Sequence, residues 1–589
     1  MYGHRNQLLG VLKALSILFS IVALSSILYY YGFPKSSETL GVSLFILKVC
    51  LGFYIFKYFI KLFYDFKPGK YLRTNWFEGA VLAFMFLNGL WIEVVGYESV
   101  GNIVALIGLY NFDLFYLVFF QVMFFIIVAI ELGKASLALS SMKIGPASLL
   151  TISFILLIFS GAGLLMLPEM TISKGIRFID ALFTSTSACC VTGLTVVDTA
   201  TCFTLKGKII IMILIQLGGI NIISFATFFA TFYNRMSGLK YVSLIKDILS
   251  ADRLSDTKLI LREIILFSLI IELLGAILIF FLWSDRVPFT GLAEKMFYSV
   301  FHSVSAFNNA GFALFSNNLY EDVVRYSLGV HIVIAALIFL GGLGFVVLQD
   351  IFSPTGIRDR IRYPWKHLGV GTKIVLNTSL ILIFIGTVVI FVLERNNSLV
   401  EFGTGEAVIA SFFQSVTCRT AGFNTINFAL LCQPVLIFMM ALMFIGASPG
   451  STGGGIKTTT FRLLIESTIA TIRGKENIEV FKHSIPFNLI DKSYSIMFFS
   501  ISLILTSTFL LSITEPGIPF INLMFEEVSA FGTVGLTTGI TPLLSDWGRI
   551  IIVVSMFVGR IGTITLALAL SKKVFTTKYK YTPVNIMVG

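Results

Sequence analysis

TSTSACCVTGL (Thr184–Leu194), HSVSAFNNAGF (His302–Phe312), SVTCRTAGF (Ser415–Phe423) and EEVSAFGTVGL (Glu526–Leu536) are four versions of one loop, small and hydroxylated residues running into a lone glycine. The glycines are Gly193, Gly311, Gly422 and Gly535, separated by 118, 111 and 113 residues. A second series follows in register: QLGGIN, FLGGLG, FIGASPG and FVGRIG. Its first glycines are Gly218, Gly341, Gly446 and Gly559, lying 25, 30, 24 and 24 residues past the loop glycines. Period and internal order recur together, which marks a fourfold repeat of helix, loop and helix. A single such loop would read as a turn. Four in register read as the lining of an ion pore.

Composition sets the class. The chain is 56% hydrophobic and 13% charged, with 58 phenylalanines, which excludes an ordinary soluble protein. Twelve apolar runs reach membrane length: about 10–31, 40–62, 76–96, 106–131, 147–167, 206–233, 259–283, 328–350, 374–394, 432–446 continuing past 456, 494–513 and 549–571. The first run is too long for a cleaved signal peptide, and YYYGFPK behind it has no small-residue cleavage site. Lys and Arg crowd into 57–73, 235–262, 358–373, 457–492 and 572–580, while the alternate connections carry Glu93, Glu98, Glu394, Glu401, Glu515, Glu526 and Glu527. The positive-inside rule then predicts cytoplasmic termini, a plasma (inner) membrane location and repeat loops facing outward. The net charge of +11 is scattered between spans, so nucleic acid is not the expected partner. The six cysteines show neither metal nor disulfide spacing.

A cation leaving water needs oxygens in place of its hydration shell, and rings of backbone carbonyls supply them. Non-helical backbone at membrane depth survives only where it is buried in protein or lines water. The stretches 176–190, 291–307, 404–418 and 519–531 are helix-compatible half-spans whose C-terminal ends point partial negative charge at what lies beneath. Glycine after each half-helix takes positive φ freely and lets carbonyls turn toward an axis.

These motifs, with GASPGSTGGGIKTT, resemble the Trk/Ktr/HKT superfamily of potassium uptake proteins over roughly residues 145–575, most closely the bacterial Ktr/Trk membrane subunit. The resemblance implies an all-α polytopic membrane protein with four helix–re-entrant loop–helix repeats around a pseudo-fourfold axis. It implies a K⁺ filter made of Val191, Thr192 and Gly193, Asn309, Ala310 and Gly311, Thr420, Ala421 and Gly422, and Thr533, Val534 and Gly535. It further implies a homodimer seated on a separate cytoplasmic ring of nucleotide-binding regulatory subunits, since no GxGxxG follows a strand here. Gly at position 193, where Na⁺-selective plant members tend to carry Ser, points to K⁺; Na⁺ selectivity or Na⁺/H⁺ coupling is the alternative within the superfamily.

The expected organisation is an N-terminal four-helix region (1–140), repeats at 145–233, 257–352, 370–470 and 485–575, and a cytoplasmic tail at 576–589. The front region departs from the family pattern. No span in it has the every-third-residue Arg or Lys of a voltage sensor, so packing or assembly is its expected role.

Two features suggest a gate. The second helix of repeat 3 meets Gly446, Ser448, Gly450, Ser451, Thr452, Gly453, Gly454 and Gly455, a stretch too rich in glycine to continue a helix. It is expected to lie across the pore below the filter as a flexible intramembrane loop (446–455). It lacks the order of a phosphate-cradling GxxxxGK[ST] and follows no strand. Repeat 4 carries Arg560 at the matching position, and an arginine at that depth costs roughly 2.5–3.5 kcal/mol on insertion scales unless a cavity or partner receives it. Loop carbonyls are the expected partner. Glu272 is expected to make a helix–helix hydrogen bond or ion pair. The five histidines are scattered, so no enzyme and no cofactor is expected in this chain, and parallel repeats disfavour an inverted-repeat carrier.

Overall fold

The computed structural model describes residues 2–34, 37–64, 68–95, 121–128, 146–233, 257–363, 365 and 367–570. Most of the apolar run 106–131, most of the basic segment 235–262, and the tail 576–589 lie outside these residues. The chain divides into two compact units, 1–144 with 167–169, and 145–166 with 170–589.

The first unit contains α1 (Tyr2–Gly32), α2 (Ser37–Tyr64), the short α3 (Pro68–Thr74), α4 (Trp76–Val95) and a helical stretch at 121–128. Ala23, Leu47, Tyr54, Met85 and Phe124 form its core. Hydroxyls join the helices: Ser20 to Tyr54 at 2.7 Å, Ser26 to Ser43 at 3.0 Å, and the Lys57 ammonium to Ser16 at 2.6 Å. Lipid tails give apolar helices no reason to separate from solvent, so such bonds and close packing do the joining.

The second unit holds the repeats. Their first helices are α5 (Pro146–Leu165), α8 (Thr257–Leu282), α12 (Val370–Glu394) and α16 (Phe487–Thr514). With α1 and α2, these are the six helices among the described residues that are long and apolar enough to cross a membrane as single rods. Half-span helices follow each first helix: α6 (Phe178–Cys189), α9 (Leu292–Phe307), α13 (Thr404–Thr417) and α17 (Phe520–Gly532).

The second helices correct one expectation. In repeat 1, α7 (Leu205–Tyr233) is continuous, but the runs 328–350 and 549–571 are not uninterrupted. α10 (Leu328–Leu343) and α11 (Phe345–Phe352) meet at a 104° bend. α18 (Asp546–Ile561) is separated from α19 (Thr563–Leu570) by Gly562. Gly344 has φ +87° and Gly562 φ +90°, values that glycine alone takes without strain and that a right-handed helix cannot contain. Repeat 3 breaks as expected, α14 (Gln433–Phe444) ending before the glycine-rich stretch and α15 (Thr458–Ile472) resuming after it.

The apolar core sits at the seams between repeats. Phe183 and Leu214 of repeat 1 cluster with Phe301 of repeat 2 and Met556 of repeat 4. Ile334 joins Phe413 and Phe423 across repeats 2 and 3, and Met439 joins Phe525 and Phe531 across 3 and 4. The repeats therefore share their buried surface and cannot each be a separate domain.

Candidate functional site

Every half-span helix ends in a three-residue strand of the same construction. Val191, Asn309, Thr420 and Thr533 have φ of +57°, +59°, +83° and +49°; two residues later Gly193, Gly311, Gly422 and Gly535 have φ of +92°, +69°, +79° and +91°. Alternating the sign of φ along a strand turns successive peptide planes the same way, so carbonyls stack in a row on one side. Hydrogen bonds hold the strand in that shape. Thr192 N donates to Ser187 O at 2.8 Å, Ala310 N to Ser305 O at 2.7 Å and Val534 N to Ser529 O at 2.8 Å. Repeat 3 is one residue shorter, and Ala421 N reaches Thr417 O at 3.0 Å instead.

The four strands close into a ring. A Cβ on Gly193 would lie 2.5 Å from the Ala310 carbonyl oxygen and 3.1 Å from the Gly311 Cα. A Cβ on Gly311 would run into Ala421 O, one on Gly422 into Val534 O, and one on Gly535 into Thr192 O. Each glycine is thus jammed against the next strand's backbone, and the series returns to its start. No side chain fits at any of the four positions.

Side chains behind the ring brace it. His302 Nε2 faces Leu314 N at 3.4 Å, Gln414 Nε2 donates to Thr425 Oγ1 at 3.0 Å, and the hydroxyls of Thr537 (2.8 Å) and Thr541 donate to the Glu526 carboxyl. The half-helix is tied in each case to the strand leaving the ring. Glu526 and Glu527 are fully buried on α17. Ion pairs close two of the seams: Arg549 to Asp180 at 2.6 Å between repeats 4 and 1, and Arg325 to Glu401 at 2.8 Å between repeats 2 and 3. Both arginines lie fourteen residues past their ring glycine, and His302 and Glu526 lie nine before theirs. That recurrence is visible in the sequence.

On one face of the ring a cavity of about 520 Å³ is lined by all four glycines and by Asp198, whose carboxylate accepts from Ser316 Oγ at 2.7 Å. On the other face lies the segment 446–455. Gly454 N donates to Thr533 Oγ1 at 2.9 Å, and Thr452 Oγ1 to Phe307 O at 3.2 Å. Ser448 N donates to Gly342 O at 3.0 Å, Thr452 N to Gly341 O at 3.3 Å, and Phe345 N to Gly450 O at 3.1 Å. The bend at Gly344 frees those repeat 2 carbonyls, and the loop uses them. Lys457 Nζ holds Gly453 O at 2.7 Å, and Thr458 Oγ1 holds Ser448 Oγ at 3.1 Å. The segment, called the plug below, is bonded along its length to repeats 2 and 4.

Arg560 is 2% exposed and meets the plug as expected, Nη1 donating to Thr452 O. Its other arm reaches Gly218 O at 2.6 Å and Gly219 O at 3.5 Å on α7, partners the sequence reading did not foresee. Through Arg560 the plug is linked to repeat 1, and it touches repeats 2 and 4 directly. Residues 446–455 thus bond, directly or through Arg560, to all three other repeats. Glu272 makes the expected bonds between helices, accepting from Gln216 at 3.1 Å and Asn308 at 3.0 Å. Arg419, absent from the expected site, is buried behind the repeat 3 strand and donates to Ser379 Oγ at 3.1 Å. No group of three or more His, Cys, Asp or Glu side chains placed to hold a metal ion exists among the described residues.

Residues 119–580 match the family model described as "TrkH: Cation transport protein". The Ktr system potassium uptake protein B of Bacillus subtilis is 41% identical over 72% of this chain and 93% of its own length. The protein of the same name from Vibrio alginolyticus is 39% identical over 76% and 96%. The potassium/sodium uptake protein NtpJ of Enterococcus hirae is 35% identical over 76% and 98%. The fold matches the crystal structure of the potassium transporter TrkH from Vibrio parahaemolyticus with a TM-score of 0.60 at 17% identity, covering 84% of this chain and 98% of that one. With four glycine strands closed into a ring, a family model matched over residues 119–580, and relatives matched over nearly their whole length, the chain belongs to the TrkH family of cation transport proteins.

Proposed function

We propose that the chain takes K⁺ into the cell, driven by the membrane potential, through the ring of Gly193, Gly311, Gly422 and Gly535. The carrying observation is the closure of the ring, each glycine seated on its neighbour's backbone with no room for a Cβ. Rows of carbonyls replace the ion's water, and the C-terminal ends of α6, α9, α13 and α17 add partial negative charge. The cavity bearing Asp198 is the outer mouth. The plug at 446–455 with Arg560 is the gate: a guanidinium on the axis repels a cation, and flux requires the plug to move aside. The termini are cytoplasmic. Two copies associate in the membrane, and their basic loops dock a separate nucleotide-binding regulatory ring, a reading supported by relatives named as proteins of a Ktr system.

The test is ⁸⁶Rb⁺ or K⁺ flux into liposomes at clamped potential, with Na⁺ as competitor. Gly193→Ser adds a side chain where the Ala310 carbonyl already stands and lowers the K⁺-over-Na⁺ ratio. An unchanged ratio at wild-type-like flux would sink the ring assignment. A second reading, passage of Na⁺ beside K⁺, is favoured by the relative named a potassium/sodium uptake protein, and the same competition separates the two.

A further inference from the structure

In three repeats one serine fastens the half-span helix to the first helix. Ser185 Oγ donates to Ile158 O at 2.7 Å, Ser303 Oγ to Glu272 O at 2.6 Å and Ser415 Oγ to Ile383 O at 2.8 Å. Each serine shares its niche with a glycine of the first helix and a leucine of the second: Gly161 and Leu214, Gly275 and Leu337, Gly386 and Leu442. Repeat 4 changes all three positions together, to Ser507, Glu527 and Ser555. Ser507 lies three residues past Ile504, as each glycine lies three past its acceptor carbonyl, and Ser555 lies four before Gly559, as each leucine lies four before Gly218, Gly341 or Gly446. The niche is the same, since Ser555 Oγ donates to Ser507 Oγ at 3.3 Å.

Glu527 is 0% exposed. The hydroxyls of Ser507 and Ser555 face it, yet neither carboxyl oxygen completes a hydrogen bond. The other titratable group facing it, among the described residues of the helices packed around α17, is Glu526, itself an acid. No cation is at hand among the described residues. An ionised carboxylate sealed from water, with two hydroxyls and a second acid around it and no cation to balance it, is so costly that the group neutralises instead. The niche also calls for a donor, which serine provides in the other repeats. A carboxylate has none, whereas a carboxylic acid has one O–H.

We propose that Ser507, Glu527 and Ser555 form a proton-binding site in repeat 4, the Glu527 carboxyl carrying a proton whose O–H fastens α17 to α16 as the serines fasten their helices. Binding is plain addition of a proton to one carboxylate oxygen and needs no co-reactant. Glu527 lies eight residues before Gly535 on the helix that presents Thr533–Gly535. Losing the proton removes the fastening and leaves a bare charge behind one strand of the ring.

The experiment is infrared spectroscopy of the full chain purified in detergent, as the difference between wild type and Glu527→Gln. The expected result is the carbonyl-stretch band of a protonated carboxylic acid at neutral pH, lost in the variant and lost from wild type on alkaline titration. A second variant, Ser507→Gly/Glu527→Ser/Ser555→Leu, installs the set found in repeats 1–3. It should lack the band and keep a level K⁺/Na⁺ flux ratio over the alkaline range in which the wild-type ratio falls. Spectra identical in wild type and both variants would overturn the proposal, as would a carboxylate signal that responds to Na⁺ and not to pH. The infrared arm is independent of which ion the ring passes, so its failure is distinguishable from failure of the proposed function.

Discussion

The ring and the plug are built on opposite plans. All four repeats give the ring the same backbone, positive φ at two positions and a glycine pressed on its neighbour. The plug is shared out unequally: repeat 3 supplies the segment, repeat 4 the arginine, repeat 1 the carbonyls of Gly218 and Gly219, and repeat 2 the carbonyls freed by its bend. Coordinating an ion on an axis requires equal oxygens from every side. Blocking that axis requires one object that can leave it, and four equal objects would meet there and clash.

The largest effect is expected where the ring's closure depends on one buried pair. Arg549 and Asp180 have side chains 9% and 10% exposed, and removing one partner of such a pair costs roughly 3–5 kcal/mol. Arg177 also pairs with Asp180 at 3.0 Å, so Arg549→Ala should fall near the lower end, about 3 kcal/mol. Thermal unfolding in detergent measures it, with the seam between repeats 4 and 1 the first to loosen. Arg325→Ala is the contrast. Glu401 is 65% exposed and rehydrates, so the loss there is about 1 kcal/mol, mostly the cation–π contact with the Phe402 ring. Equal losses at the two seams would remove the distinction between them.

An intermediate effect belongs to the plug alone. Arg560→Ala deletes the guanidinium's bonds to Thr452 O and Gly218 O, each charge-assisted and worth about 1.5–3 kcal/mol, against relief of the arginine's own desolvation. Resting flux should rise while the K⁺/Na⁺ ratio holds. If folded, inserted protein instead stops transporting, Arg560 supports permeation and the barrier lies elsewhere.

The smallest effect tests the junction. Thr533→Ala keeps the ring backbone and deletes one hydroxyl that accepts from Gly454 N, worth about 1 kcal/mol. Resting flux should rise less than in Arg560→Ala, up to about fivefold by that energy. A fall in ion preference larger than the rise in resting flux would show that ring and plug are not separable.

Much of this was legible in the chain because repetition is a strong signal. The glycine register located the ring residue by residue, and the run of glycines after Phe444 located the plug, since no helix crosses such a stretch. The bends at Gly344 and Gly562 were hidden, because FLGGLG and FVGRIG sit in runs as apolar as any span, and hydropathy does not register the sign of φ. The burial of Glu526 and Glu527 was hidden for a related reason: composition counts an acid as wet whether or not the fold turns it inward against Thr537 and Ser555.

The sequence by itself determined the class, the fourfold repeat, the ring glycines, the helix break after Phe444 and the burial of Arg560, because each follows from composition, period or the conformational limits of glycine. Only the tertiary structure decided the partners. That Gly193 rests on Ala310 and Gly535 on Thr192, and that Arg560 divides its bonds between repeats 3 and 1, are facts about residues from 108 to 343 positions apart. The physical reason is that periodicity is a property of one strand of chain, whereas a hydrogen bond between repeats depends on how they are turned toward one another. That turn is set by the packing of the seams, where many weak apolar contacts act together and leave no motif.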